Sequence, residues 1–588
     1  MGFRSVTLAA IAVAAEVVAQ DTTIDVPSDL ATRPLVPDVY GYSIEPVWVD
    51  DYISTPLAKN LLGAIAKVTG KPPPIRVGGN TADQTYIHDT LSTGNDSVSI
   101  PDPLHAKQFN ITPEWYDTWA DYFPEGTDIL YTLNLAVNDS AWSNAVAEAE
   151  AVHKSLGSKL VQFELGNEID HFINKGWRDA SWGVATYISQ FRNITGQIVN
   201  SEWYKAAEQK PTFQAGVIAD PPWVPDQQDE ADDFSIANLT GGGDGGIVER
   251  KEDRDIIGSY ATHLYPQSTC DGPRWLRMRL DLLSNHTNIS QFAPQVAAAD
   301  KAGAPLVMGE TNSVSCSGKS GISDTFGAAL WGVDYVLLGA SIGIRKTYFH
   351  LGAQSEYSAF TPKPYELKNE TLGAGIRANW YGHYFVAKVV AGGNGEGKLG
   401  VAALPGANGS EFSGYAVYAG EEEQRTLKKL VFLDMGVWNG TEGLGNNSTL
   451  EATDGTSFSN GTRPSSTIKV STPWAAGRSV SVTRLTGPGT NAKSDVAVSG
   501  VTFDSETGEK VGEEEEEEVV KVGENGALEV KIRRAEGVLL EVVNGSGDGE
   551  NSGAGPEEGG NSGASGKGAG LWSALFVTAM TAAFMVML

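Results

Sequence analysis

The sequence predicts an α/β fold, a (β/α)8 TIM barrel with a C-terminal antiparallel β-sandwich domain, and three observations predict it. From about residue 37 to 385, eight short apolar runs alternate with longer helical patterns, the signature of a parallel sheet built from βα units. Beyond about 385 the texture shifts to Gly, Thr, Ser and Val, with alternating runs such as SGYAVYA, KKLVFLDM, SVSVTRL and GVLLEVV, the pattern of short sandwich strands. The chain of 588 residues, 41% of them hydrophobic, is also too long for one ordinary domain and rich enough for two cores.

In chain order, Arg4 followed by an apolar run from Val6 to Ala15 reads as a secretory signal peptide over residues 1–19. The eight candidate strands are 38–46, 74–80, 128–135, 160–168, 213–220, 257–265, 305–310 and 344–351. Between them, 143–157 is an amphipathic helix stopped by Gly157, and 182–207 reads as one long helix. Ser323-Asp324 is placed to cap a helix over Thr325–Leu338. Residues 37–385 thus form the barrel and 386–544 the sandwich; the glutamates 513–518 read as a solvated hairpin tip, since like charges resist burial.

A Gly/Ser/Glu-rich linker over 545–561 and an apolar tail ending at Leu588 have the form of a glycolipid (GPI) anchor signal over 562–588, with Asn561 the expected attachment residue. More than a dozen Asn-x-Ser/Thr sequons, among them Asn95, Asn110, Asn193, Asn285 and Asn439, agree with secretion to the outer face of the plasma membrane or the cell wall. The two cysteines, Cys270 and Cys316, follow strands six and seven and are expected to be bridged in an oxidising compartment. No metal-ligand spacing is present and no cofactor is implied. A net charge of −30 disfavours nucleic acid and anionic lipid, leaving the anchor as the expected tie to a membrane; a monomer is expected.

The chemistry gathers at two strand ends. FELGNEID (163–170) delivers Glu168, and PLVMGETNS (305–313) delivers Glu310. Strands four and seven lie on opposing sides of an eight-stranded barrel, so the two carboxylates are expected to face one another at its C-terminal rim. Carboxylates about 5 Å apart are the equipment of a retaining glycosidase. Arg76 shares its parity with Asn80, and either neutralises Glu310 or forms a structural ion pair with Glu164. His263 and Tyr265 close strand six, where Tyr265 is placed to donate to Glu310, and Asn167 is placed to bind a sugar hydroxyl. Lys346 and His350 share inward parity on strand eight and are candidate partners of a substrate carboxylate.

The stretches IRVGGNTAD, FELGNEID, SYATHLYP, MGETNSVSCSG and RLTGPGTNAKSDVAVSGVTF resemble glycoside hydrolase family 79, the β-glucuronidase and heparanase family, over residues 24 to 544, and its fungal secreted members above all. The resemblance implies Glu168 as acid/base, Glu310 as nucleophile, and a strand within residues 20–36, near Thr22 to Val26, that completes the sandwich. It also places a substrate-contacting tyrosine at Tyr357. One departure stands out: exo-acting members carry a Gly and a Tyr for the glucuronate carboxylate after the nucleophile, where this chain reads Thr311-Asn312-Ser313-Val314-Ser315-Cys316.

The function expected is that of a retaining exo-acting β-glycoside hydrolase, foremost a β-glucuronidase releasing glucuronate or its 4-O-methyl ether from plant or cell-wall glycans. The acidic balance, without a Lys/Arg cluster at the motifs, disfavours cleavage within a sulfated polymer. The alternatives are a β-glycosidase or wall transglycosylase of other specificity, and a non-catalytic glycan-binding wall protein.

Overall fold

The computed structural model describes residues 22–91, 98–99, 108–137, 142–219, 233–241, 245–269, 287–367, 370–392, 398–421, 424–444, 458–513 and 515–543. The expected signal peptide, linker and anchor signal, with Asn561, Cys270 and the sequons at Asn95 and Asn285, lie outside them. Among the described residues no helix is long and apolar enough to cross a membrane. Of the remaining named sequons, Asn193 is exposed, while Asn110 and Asn439 are half-buried.

Eight strands close into a barrel: β1 (Tyr40–Ile44), β2 (Ile75–Val77), β3 (Ile129–Leu133), β4 (Leu160–Leu165), β5 (Thr212–Ile218), β6 (Ile257–Leu264), β7 (Leu306–Thr311) and β8 (Thr347–Leu351). Each pairs in parallel with its sequence neighbour, and β8 closes on β1. The strands read as near-continuous apolar runs because helices cover them from outside and side chains fill the barrel within. The helix Leu57–Thr69, for example, buries Leu57, Leu61, Leu62 and Ile65 and stops at Gly70, whose φ of 77° is left-handed.

Two local expectations change. The run 182–207 is two helices, Val184–Asn200 and Glu202–Ala206. Ser201 is extended, and its hydroxyl caps the second helix by accepting from the Tyr204 amide. The helix after β7, Phe326–Ile342, has Thr325 at its N-cap with no side-chain cap bond. Asp324 is instead committed to Lys493 of the sandwich, 3.3 Å away and fully buried.

That helix is apolar on every side because it lies between the barrel and the sandwich, packed on the helix Trp380–Val390 and the strand Leu399–Gly409. The boundary drawn at 385/386 falls inside Trp380–Val390. Tyr415 of the sandwich donates to Asp334 at 2.6 Å, and Trp380 meets Phe503 edge to face. The loop that follows β7 is therefore anchored to both domains.

The sandwich has two sheets around its own core of Ile24, Leu430, Phe432, Val480, Ile532 and Leu540. Both receive a strand from the N-terminal segment. Thr22–Asp25 pairs in parallel with Ser465–Ser471, and Arg33–Leu35 pairs antiparallel with Leu399–Gly409. In the glutamate run, Glu515, Glu516 and Glu517 are exposed, and Glu518 opens a strand while holding Arg484 at 2.6 Å.

Candidate active site

β4 ends at Leu165, and Gly166, with φ of 75°, turns the chain; a Cβ there would lie 2.9 Å from Leu135. Two residues on, Glu168 sits in the left-handed region at φ 52° and ψ 58°. A non-glycine residue held there costs on the order of 1 kcal/mol and persists only where its surroundings fix it. Asp83 does part of that fixing, accepting from the Asn167 amide at 2.7 Å and from the Leu135 amide at 2.8 Å.

Glu310 projects from β7, in register with His263 of β6. One polar atom each of Glu168, His263 and Glu310 lies within 4.8 Å of the other two. Tyr265 donates to one oxygen of Glu310 at 2.7 Å, and Arg76 donates to the other at 2.8 Å. His350 stands 3.6 Å from that second oxygen. Burial alone would raise the Glu310 carboxyl, but the charges of His350, His263 and Arg76 outweigh it, against opposition from Glu168, and hold it below its ordinary value. Burial and the Glu310 charge push the Tyr265 phenol well up, so it remains a neutral donor.

Arg76 fills both roles that its parity left open. Fully buried, it gives Nε and Nη2 to Glu164, the latter at 2.5 Å, and Nη1 to Glu310 and to Ser43. Its Nη2 also reaches the side-chain oxygen of Asn167 at 2.8 Å. The Asn167 carbonyl is thereby occupied, which leaves its NH2 group as the donor toward a ligand.

Around Glu168 are Lys175 at 3.4 Å, His263 at 3.5 Å and His171 at 3.6 Å. Burial raises this carboxyl, yet Lys175 and the hydrogen bonds from His171 and His263 dominate and hold it well below its ordinary range. The Glu168–His263–Glu310 set is compact enough to clasp a cation. Both Glu310 oxygens are, however, already bonded to Arg76 and Tyr265, which argues against the trio as metal ligands.

Beside the two carboxylates lies a cavity of about 270 Å3, whose wall includes Glu45, Asn80, Ser317, His350, Gln354 and Tyr357. Tyr357 is 6.1 Å ring to ring from Tyr265 and 6.0 Å from His350, so it adjoins the Glu310 wall. The backbone amides of Asn80 and Thr81 and the Thr81 hydroxyl donate to Glu45. A Cβ on Gly79 would meet that carboxylate at 2.7 Å. Burial, opposed by His350 and Thr81, raises the Glu45 carboxyl.

Of the ten residues expected at the site, Glu168 and Glu310 stand together, Asn167, Tyr265, His263, Arg76, His350 and Tyr357 surround them, and Asn80 joins them through Lys175, whose ammonium its side chain accepts at 2.6 Å. Lys346 does not. It precedes β8 at the opposite mouth of the barrel, bonded to Asp38 at 2.7 Å beside Lys71. Strand parity fixed its face but not its end, and it lies four positions before His350. Sequence reasoning passed over Glu45, Lys175, His171 and Asp83. Glu45 ends the run YSIEP as Glu310 ends VMGE, so the rule of a carboxylate at a strand end would have found it. No cysteine is free among the described residues, and Cys316 follows the short strand Val314–Ser315 in the loop beyond Glu310.

A closed parallel barrel carrying two rim carboxylates in contact distance, backed by an arginine and a tyrosine, defines a (β/α)8 glycoside hydrolase. The Glycosyl hydrolase family 79 C-terminal beta domain matches residues 414–539. A beta-glucuronidase of Neurospora crassa is 29% identical over 390 residues, which span 63% of this chain and 66% of that protein. A beta-glucuronidase of Aspergillus niger is 28% identical over 550 residues, spanning 88% of this chain and 93% of that protein. The chain is thus similar to beta-glucuronidases, and its residues 414–539 match the C-terminal domain of glycoside hydrolase family 79. In fold it is similar to a 4-O-alpha-L-rhamnosyl-beta-D-glucuronidase from Fusarium oxysporum 12S, solved with Rha-GlcA, at a TM-score of 0.68 and 22% identity over 88% of this chain and all of that one. It is similar, more distantly, to an arabinofuranosidase from Xanthomonas axonopodis pv. citri, at a TM-score of 0.54 and 13% identity over 89% of this chain and 99% of that one.

Proposed function

We propose that the chain is an exo-acting β-glucuronidase that works by double displacement with retention, Glu310 attacking the anomeric carbon and Glu168 serving as acid and then base. The observation that carries this is the approach of one oxygen of each carboxylate to within 4.8 Å, which fits the close pair of a retaining enzyme better than the wider pair of an inverting one. His350, His263 and Arg76 favour the ionised form of Glu310, and hydrogen bonds from Arg76 and Tyr265 aim it, as a nucleophile requires. In the first step the glycosidic bond breaks as the Glu310–C1 ester forms and Glu168 protonates the leaving oxygen. In the second, water attacks C1, Glu168 takes its proton, and Glu310 departs. The NH2 group of Asn167 serves the sugar 2-hydroxyl, a contact that strengthens in the transition state.

The uronate carboxylate falls to the cavity wall at His350, Tyr357, Gln354 and Ser317. The loop after β7 contributes indirectly: Asn312 donates to the backbone oxygens of His350 and Tyr357 and holds both in place. A second reading, a β-glycosidase for a neutral sugar, is favoured by Glu45, which puts a carboxylate on that cavity wall beside His350. The proposal also includes secretion with a GPI anchor, and a Cys270–Cys316 bridge restraining the loop beyond Glu310, supported by the lack of a free thiol among the described residues.

A panel of aryl β-glycosides separates the two readings, with the glucuronide expected to be turned over fastest. Glu310→Gln should lower its turnover by at least about 1000-fold. Undiminished turnover by that variant, or release of the α-anomer in a first NMR trace of the product, would sink the mechanism.

A further inference from the structure

We propose that Lys175 is a positioning residue that guides Glu168 between its acid and base duties. The inference rests on the reading of Glu168 as the acid/base. Lys175 follows the short turn Ile169–His171, its amide donating to the His171 carbonyl at 2.9 Å. From there its ammonium meets three separate parts of the rim. It donates to Asn80 at 2.6 Å, in the loop after β2, reaches Glu168 at 3.4 Å, and stands 5.1 Å over the Trp177 ring. The side chain is only 22% exposed. A lysine held by an amide, a carboxylate and an aromatic face has little freedom, so its charge stays where the acid/base must change protonation.

The other groups facing Glu168 are His171, His263 of β6 and, across the site, Glu310 and Tyr265. The two histidines stand 3.5 and 3.6 Å from Glu168 whichever step is under way, while Glu310 changes charge during the cycle itself. Once Glu310 is esterified its negative charge is gone, and the field at Glu168 is left more positive. Lys175 then favours the carboxylate that must accept a proton from water. The same charge opposes the protonated form that begins the cycle. Lys175 thus trades speed in the first step, away from acid pH, for readiness in the second.

The test uses the full chain with Lys175→Met, Lys175→Gln and Lys175→Arg, on two β-glucuronides. One has an alkyl leaving group that needs protonation; the other has a dinitrophenyl group that does not. Removing the charge should move the alkaline limb of kcat/KM for the alkyl substrate upward, a gain of about two- to five-fold above the wild-type limb. With the dinitrophenyl substrate, where the second step limits, kcat should instead fall on the acid side. Arginine should restore the wild-type profile, and glutamine should match methionine while retaining a donor for Asn80. Profiles that differ from wild type only by a constant factor would overturn the inference, as would an arginine variant that behaves like methionine. Thermal midpoints identify a variant that fails to fold, and the remaining two then decide. If the wild type hydrolyses neither glucuronide, the functional reading fails; a fault in this inference shows only in the variants.

Discussion

Arg76 is the residue on which barrel stability and active-site chemistry converge, and replacing it separates the two. In Arg76→Met the guanidinium leaves Glu164 fully buried with one remaining partner, the Thr132 hydroxyl at 2.7 Å, and removes a donor from Glu310, Ser43 and Asn167 together. Removing one partner of a buried ion pair costs about 3–5 kcal/mol, because the survivor is a desolvated charge. At about 2 cal/mol/K per residue of unfolding entropy, roughly 500 folded residues lose about one degree of Tm per kcal/mol, so a fall of about 3–5 °C is expected.

The pH dependence follows from the sign of the perturbation. A buried carboxylate stripped of its cation has a raised proton affinity in the folded state. Stability is then retained where that acid is protonated and lost as pH rises, so the deficit against wild type should widen from pH 4 to pH 8. Calorimetry across that range measures it. The double variant Arg76→Met, Glu164→Leu should recover most of the Tm, since replacing both partners by apolar groups is nearly neutral. It should not recover turnover, because Glu310 still lacks its guanidinium. A single variant within 1 °C of wild type, or a double variant as unstable as the single one, would refute the claim that the Arg76–Glu164 pair carries the barrel interior.

Two further outcomes test the placement of charges. Lys346→Met should leave kcat and KM unchanged while lowering stability by about 1 kcal/mol, since Lys346 belongs to the Asp38–Lys71 group at the far mouth; a raised KM would return it to the substrate. For a glycoside with a poor leaving group, kcat/KM should be greatest on the acid side of neutrality and fall toward pH 7. The proposed mechanism needs Glu168 protonated while its neighbours hold it well below the ordinary carboxylate range, and a maximum above pH 7 would contradict that electrostatic picture.

The barrel was legible because its strands are buried on both faces, so each stands out as an apolar run, and because catalytic groups at a rim must follow such runs immediately. Glu168 and Glu310 both obey that rule, and so does Glu45 after the run YSI. What sequence could not convey was which end of a strand a residue occupies when the apolar run is longer than the paired strand. Lys346 and His350 share a face, yet β8 starts at Thr347, which sends one to Asp38 and the other to Glu310.

Contacts made across loops were hidden more completely. Lys175 has neither the periodicity of a strand nor the spacing of a motif, and it reaches Glu168 only because the Ile169–His171 turn folds the chain back over the rim. Asp324 shows the same limit in the other direction. Its sequence context is that of a helix cap, but a buried carboxylate is better satisfied by an ammonium than by one amide, and Lys493, 169 positions away, supplies one. Local pattern identifies the carboxylates at strand ends; the charges around them come from elsewhere in the chain, and under the proposed mechanism those charges set the pH at which the pair of glutamates divides its labour.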